Sequence, residues 1–406
     1  MTDRLYYRDP YLRTFDATVE KVEPRGDRWS VALDRTAFYP TTGGQPFDTG
    51  TLAGMRVVDV VDEEDGTIAH LVDATSDRNL TRGAVVHGEI DWPRRFDHMQ
   101  QHTGQHVLSA AILSVCRART VSFHLGAAVS TIDLDRELSP AEIAVAETEA
   151  NRVVWEDRPV TIRFVSAEEA AALPLRKEPT RGGTLRLIDV EGFDLSACGG
   201  THVARSGAIG IIAVASWERF KGGQRLEFLC GGRALGRWRS FRDTIGSSVR
   251  LLSVLPEEIP ATVERMQGDA REQKRAAAAL QTELARFRAG ELAASAERVR
   301  LKPGTTYEGE VSLVLRAIDA DANGLKALAT AIAATPGFAV VLVSTTRPAL
   351  VVAARSTGEA VSAQQIIATL TGKFGGRGGG KAELAQAGGI DAAPEEILAA
   401  ARETLI

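Results

Sequence analysis

The sequence predicts an α+β multidomain protein: an N-terminal small β-barrel, an α+β domain, a helical hairpin and a C-terminal α/β globular domain. Three observations carry this. Apolar–polar alternation with frequent turn signals fills the first ninety or so residues. Helical and strand patterns then interleave up to a long run, 232 to 300, that lacks strand signals. Beyond it, β and α patterns alternate to the end. The chain is accordingly divided into 1–92, 93–231, 232–304 and 305–406, and 406 residues suffice for two or three cores.

In the first segment, Thr14 to Glu23 and Trp29 to Asp34 alternate, and Met55 to Val61 and Ala84 to Trp92 are further strands. Between them, Phe38 to Pro46 carries paired glycines and flanking prolines and reads as a loop. From Arg94 to about Cys116, Val107, Leu108, Ala111, Ile112 and Val115 recur at helical spacing. Strands follow at Thr120 to Leu125 and Ala128 to Leu134. Ser139-Pro140-Ala141-Glu142 starts a helix running to Trp155: a serine cap, proline in the first turn and an acid three residues after the cap. Val160 to Val165, Leu185 to Val190, Ile209 to Trp217 and Gln224 to Leu229 complete the strands of this domain.

Pro256 and Pro260 break two helical stretches into a hairpin. After them Val263, Met266, Ala270, Gln273, Ala277, Leu280, Leu284 and Phe287 step by three and four, a short heptad seam. It packs either on the preceding helix or on a second subunit, as a homodimer. In the last segment, strands at Val311 to Ala317, Phe338 to Ser344 and Leu350 to Ala354 alternate with helices at Asn323 to Ala334 and Ala363 to Phe374. The glycine-rich loop Gly375 to Lys381 and a helix from Pro394 follow.

Composition narrows the function. With 44% hydrophobic and 25% charged residues the chain is globular, and no run of about 18 apolar residues indicates a membrane span. Its start lacks the pattern of a secretion signal, and three cysteines do not make a disulfide framework. A cytoplasmic protein is expected. The net charge of −5 is not that of a general nucleic-acid binder. Trp217 to Arg242 nevertheless carries seven basic residues against two acids, either a phosphate-facing stretch or a solvated helix face.

Two clusters stand out: His102-Thr103-Gly104-Gln105-His106 and Cys198-Gly199-Gly200-Thr201-His202. Each places two ligands four residues apart, and together they supply three imidazoles and a thiolate, the donor set of tetrahedral zinc. Four protein ligands close a tetrahedron, as in structural sites, whereas catalysis needs an open position or an expanded shell. The sequence leaves both open. Cys116, Cys230, His70 and His87 show no ligand pattern and read as structural residues.

Those clusters, with Phe38-Tyr39-Pro40-Thr41-Thr42-Gly43-Gly44-Gln45-Pro46-Phe47-Asp48-Thr49-Gly50 and Phe374-Gly375-Gly376-Arg377-Gly378-Gly379-Gly380-Lys381, resemble freestanding alanyl-tRNA editing proteins of the long AlaX type. These are similar to the editing and C-terminal domains of alanyl-tRNA synthetase. The likeness spans nearly the whole chain, with Thr42 where the family usually has a third glycine. It implies that 93–231 is a zinc-dependent editing domain in which His102, His106, Cys198 and His202 hold Zn2+. It further implies hydrolysis of serine, and of glycine, from mischarged alanine tRNA. Gly43 and Gly44 of the glycine-rich loop, and Thr120 and Ser122 on the strand after the zinc helix, are the expected substrate contacts. His124 is the candidate for proton transfer. Arg377 and Lys381 are the expected tRNA phosphate contacts in the C-terminal domain. The alternative is a non-catalytic tRNA-binding protein whose zinc only staples the fold.

Overall fold

The computed structural model describes residues 1–73, 80–176, 183–301, 310–358 and 361–406. They form two compact units, Met1–Ser248 and Val249–Ile406. The expected boundary at 304/305 lies outside the described residues. No helix among the described residues is long and apolar enough to cross a membrane.

The first unit opens with a closed six-stranded barrel, in the order β1 (Thr14–Arg25), β2 (Arg28–Leu33), β5 (Ile68–Asp73), β4 (Met55–Asp62), β3 (Gly50–Leu52), β6 (Val85–Ile90). Closure leaves no unpaired edge. Alternate residues of β1, namely Phe15, Ala17 and Val19, point inward and meet Val31, Leu33, Leu52, Val57 and Val72. Two strands escape the sequence pattern. β3 has only three residues, and five consecutive residues of β5 are buried, so β5 has no alternation to read. Its His70 is fully buried between the Thr36 hydroxyl (2.7 Å from Nε2) and the Val31 carbonyl (2.9 Å from Nδ1). Burial lowers its pKa to about 4, so the ring is neutral and structural.

Helix α1 (Trp92–Cys116) leaves the barrel directly. Asp91 caps it by accepting the Arg94 amide, and Pro93 lies in its first turn. It ends at Arg117, in the left-handed region at φ 58°. Helix α2 (Pro140–Trp155) starts with the predicted capping box: Ser139 accepts the Glu142 amide and Glu142 accepts that of Ser139. Both helices pack through Leu108, Ile112, Ile143 and Val153 on Ile132, Leu226 and Phe228. Those residues belong to a four-stranded antiparallel sheet ordered β12 (Ile212–Phe220), β13 (Gly223–Cys230), β8 (Ser130–Leu134), β7 (Thr120–Leu125). A second sheet joins β9 (Val160–Val165), β10 (Leu185–Val190) and β11 (Asp194–Ala197). Helix α3 (Gly231–Leu252) follows β13.

The barrel is bolted to α1 by one buried ion pair. Arg95, in the helix's first turn, is fully buried and donates from Nε to Asp48 (2.9 Å), from Nη1 to the Pro10 carbonyl (2.9 Å), and from Nη2 to Asp48 and the Ala37 carbonyl. Asp48, equally buried at the end of the glycine-rich loop, also accepts the Tyr39 amide at 2.7 Å. The loop, the barrel and the helix are thus tied at one point.

The second unit contains α4 (Ile259–Ala294) and a six-stranded sheet ordered β14 (Glu297–Arg300), β15 (Glu310–Ile318), β16 (Phe338–Ser344), β17 (Ala349–Arg355), β19 (Leu384–Ile390), β18 (Arg377–Gly380). Its faces carry different cores. Val340, Leu342 and Val352 meet α5 (Ala322–Ala333) and α4, while Val341, Val343 and Val351 meet α6 (Ala363–Phe374) and α7 (Pro394–Leu405).

Here the structure corrects two readings. Residues 297–300, read as strandless, form β14; only Val299 is buried on this edge strand, so it leaves no alternation. The glycine-rich run read as a loop is strand β18, paired with β19. A side chain at Gly378 would come within 2.3 Å of the Gln386 carbonyl, so glycine there permits close strand contact. On α4, Ala285 and Ala289 pack inward, whereas the seam residues Val263, Met266, Leu280, Leu284 and Phe287 are exposed.

Replacing Asp48 with alanine should strand a buried guanidinium and destabilise the first unit by about 3–5 kcal/mol. Chemical denaturation of D48A checks this; a loss of under about 1 kcal/mol would show that the pair is not a fastening.

Candidate metal centre

Successive turns of α1 bring His102 and His106 to one face, since residues four apart stack on a helix. Cys198 and His202 arrive on the loop after β11. That loop is pinned by Arg186 of β10, whose carbonyl accepts the Cys198 amide (3.1 Å) and whose Nη1 donates to the Cys198 carbonyl (2.6 Å). Two glycines allow the approach. A side chain at Gly200 would lie 2.1 Å from His102, and one at Gly104 would lie 2.2 Å from the Cys230 sulfur. Cys230 is therefore a packing neighbour of the helix rather than a ligand.

The four ligand atoms all lie within 4.8 Å of one another. Nε2 of His102 and Nε2 of His202 are each 3.3 Å from Cys198 Sγ. Three hydrogen bonds behind the rings fix which nitrogen faces the centre. Gln45 Oε1 lies 2.8 Å from His102 Nδ1 while accepting the Thr201 amide, and Gln45 Nε2 donates to the Thr201 hydroxyl. His102 must then donate from Nδ1. Thr103 gives its hydroxyl proton to the Met99 carbonyl, so it accepts from His202 Nδ1 at 3.2 Å. Asp194, an acceptor, lies 3.0 Å from His106 Nδ1. Each imidazole therefore donates from Nδ1 to its outer partner and turns Nε2 toward the centre, as metal-binding histidines do when an outer partner orients them.

The electrostatics couple the same groups: burial would lower the His106 pKa, but Asp194 and Cys198 raise it to about 9. Burial alone would push the Cys198 thiol up, but charge on its imidazole neighbours, His102 first, and hydrogen bonds from His102 and His106 hold its pKa well below the ordinary value. Burial would likewise raise the Asp194 carboxyl, yet His106 and Arg176 bring it down to about 2. Burial lowers His202 to about 3, with His102 adding to the effect, which keeps that ring neutral. Three inward Nε2 atoms and a ready thiolate fit zinc.

The other residues singled out in the sequence separate. Gly44 is at the centre's edge: its carbonyl accepts the Leu125 amide (3.0 Å), and a side chain there would come within 2.8 Å of Phe123. The Phe123 ring is 5.7 Å from that of His102. Gly43, beside it, has φ +55°, and a side chain there would meet the Tyr39 hydroxyl at 3.9 Å. A register shift between β7 and β8 at Val121 separates Thr120 from Ser122, and Thr120 donates to Ser109 of α1 at 2.8 Å. Ser122 instead donates to Asp133, which Arg225 also holds. His124, two residues on and exposed, shares the face of Ser122, opposite Phe123. The structure does not bring Ser122 or His124 to the metal cluster. Arg377 and Lys381 are exposed in the second unit, at the start and just past the end of β18.

Sequence reasoning missed Gln45, Thr103, Asp194 and Phe123. Gln45 had a signal, sitting next to Gly44 in the marked loop, and Thr103 sits inside the first histidine cluster. Asp194 and Phe123 gave none.

Comparison with known proteins follows the same layout. Family models described as tRNA synthetases class II (A), Threonyl and Alanyl tRNA synthetase second additional domain, and DHHA1 domain match residues 10–94, 185–227 and 310–406. The alanyl-tRNA editing protein AlaX-L of Pyrococcus horikoshii is 32% identical over 413 residues, covering 100% of this chain and 98% of that protein. This chain belongs to the alanyl-tRNA editing protein family. The alanine–tRNA ligases of Pyrococcus furiosus and Methanoculleus marisnigri are each 34% identical, over 95% and 100% of the chain. The editing-family chain spans only 42% and 43% of those ligases. The second-additional-domain match covers β10, β11 and the Cys198–His202 loop.

Replacing Gln45 with leucine, or Asp194 with alanine, should lower metal affinity about 10–100-fold, measured by chelator competition. Ser122→Ala should leave it unchanged; a loss as large as that of the other two would contradict the placement of Ser122.

Proposed function

We propose that this protein hydrolyses, in trans, the ester joining serine or glycine to alanine tRNA, with Zn2+ held by His102, His106, Cys198 and His202. The observation that carries the reading is the convergence of those four ligand atoms within 4.8 Å, in a chain similar along its whole length to AlaX-L. Bound zinc would supply Lewis-acid polarisation and charge stabilisation at the ester.

The protein's own groups supply the rest. Gln45, Thr103 and Asp194 keep the ring nitrogens aimed at the centre. The backbone of Gly43 and Gly44, with Phe123 beside it, forms the wall along which the tRNA's 3′ end lies. An ester needs less assistance than an amide, so positioning accounts for much of the barrier lowering. His124 is given no part in proton transfer, because it lies on the far face of β7. Editing is needed because a synthetase pocket for alanine cannot strongly reject one added hydroxyl or one missing methyl.

The second unit is assigned to tRNA binding. Arg377 begins, and Lys381 follows, a strand whose residues are all exposed, placing two cations where phosphates can reach them. The exposed Leu280, Leu284 and Phe287 on α4 support a homodimer. The place of action is the cytoplasm, where tRNA is charged.

A second reading, a non-catalytic tRNA-binding protein, is favoured by one feature: four protein ligands are the complement of a closed structural zinc site. One assay separates the two. Incubated with Ser-, Gly- and Ala-tRNA(Ala), the protein should deacylate the first two and spare the third. Chelator or Cys198→Ala should abolish the activity. Binding without deacylation supports the second reading, and full activity in metal-free protein removes zinc from the reaction.

A further inference from the structure

Strand β7 runs back along α1, and two contacts fix their alignment. Phe123 meets His102 at one end, and Thr120 donates to Ser109 at the other. His102 and Ser109 are seven residues apart, close to two full turns, so they share a helix face about 10 Å long. Gln105 lies between these contacts, immediately before the ligand His106. It is 2% exposed, yet its Oε1 has no hydrogen-bond partner among the described residues.

The rest of that side chain is held firmly. Gln105 Nε2 donates to Ser109 Oγ at 2.8 Å, and Ser109 also accepts the Thr120 hydroxyl at 2.8 Å. The register shift at Val121 is what turns Thr120 toward the helix. Three buried or half-buried polar side chains therefore cooperate to fix one amide, and leave its buried oxygen unsatisfied. Buried polar atoms are nearly always paired, so such an orphan asks for a donor from outside the chain.

We propose that Gln105 is the specificity-determining residue for the seryl side chain: its Oε1 accepts the hydroxyl of serine while Ser109 and Thr120 lock the amide. The inference rests on the editing reading above and names how that site tells serine from glycine. Serine fills the unpaired acceptor. Glycine brings no hydroxyl, and the methyl of alanine would bury the acceptor without a partner.

The test is the ratio of kcat/KM for Ser-tRNA(Ala) to that for Gly-tRNA(Ala), in wild type, Gln105→Met and Thr120→Val. Methionine keeps the length of the side chain and removes the acceptor, so the ratio should fall at least about tenfold. Thr120→Val, which frees the lock but leaves the helix intact, should move the ratio in the same direction by less. Metal content is measured alongside. An unchanged ratio in Gln105→Met, with both substrates slowed equally, overturns the inference and makes Gln105 a packing residue. If Gln105→Met does not fold, an unchanged ratio in Thr120→Val overturns it instead. A wild-type protein that deacylates neither substrate sinks the editing reading itself, a result distinct from either.

Discussion

Gln45 makes the contact on which the rest of this structure turns. It belongs to the barrel's glycine-rich loop, yet its amide holds His102 of α1 and both the amide and hydroxyl of Thr201 in the second ligand loop. One side chain thereby joins three segments that are far apart in sequence. It sets the tautomer of one ligand and the path of the chain carrying two others. The Arg95–Asp48 pair, at the base of the same loop, holds the barrel against the helix so that Gln45 can reach. The barrel is thus a supporting part of the metal centre and not merely its neighbour.

Most of this fold was legible in the sequence, for definite reasons. Helix α2 was readable because its burial is one-sided and its start is chemically marked, whereas α1, buried on every side from Gln101 to Ile112, was readable from large apolar residues recurring at helical spacing. So were strands with a wet and a dry face, such as β1. What stayed hidden lacked contrast. β5 is buried on both faces, β14 buries one residue, and the glycine run of β18 carries no side-chain pattern at all.

The site divides along a similar line. Candidate ligands are chemically distinctive, so two short clusters marked all four residues that the structure gathers. Their outer partners are not: Asp194 is an ordinary acid four residues ahead of Cys198, and nothing in sequence says that it faces His106. Three polar residues of β7 part company for a geometric reason. Thr120, Ser122 and His124 occupy alternate positions, and one or another was expected to contact substrate, but the irregularity at Val121 sends Thr120 to the helix and leaves the other two on the far face. A single extra residue in one strand cannot be seen without its partner strand.

The central claim is that three inward Nε2 atoms and one thiolate gather a single zinc ion. Elemental analysis of the purified protein, joined to X-ray absorption at the zinc edge, tests it most directly. The account predicts one zinc per chain with a shell of three nitrogens and one sulfur. Protein free of bound metal, or zinc in a shell without sulfur, would contradict it.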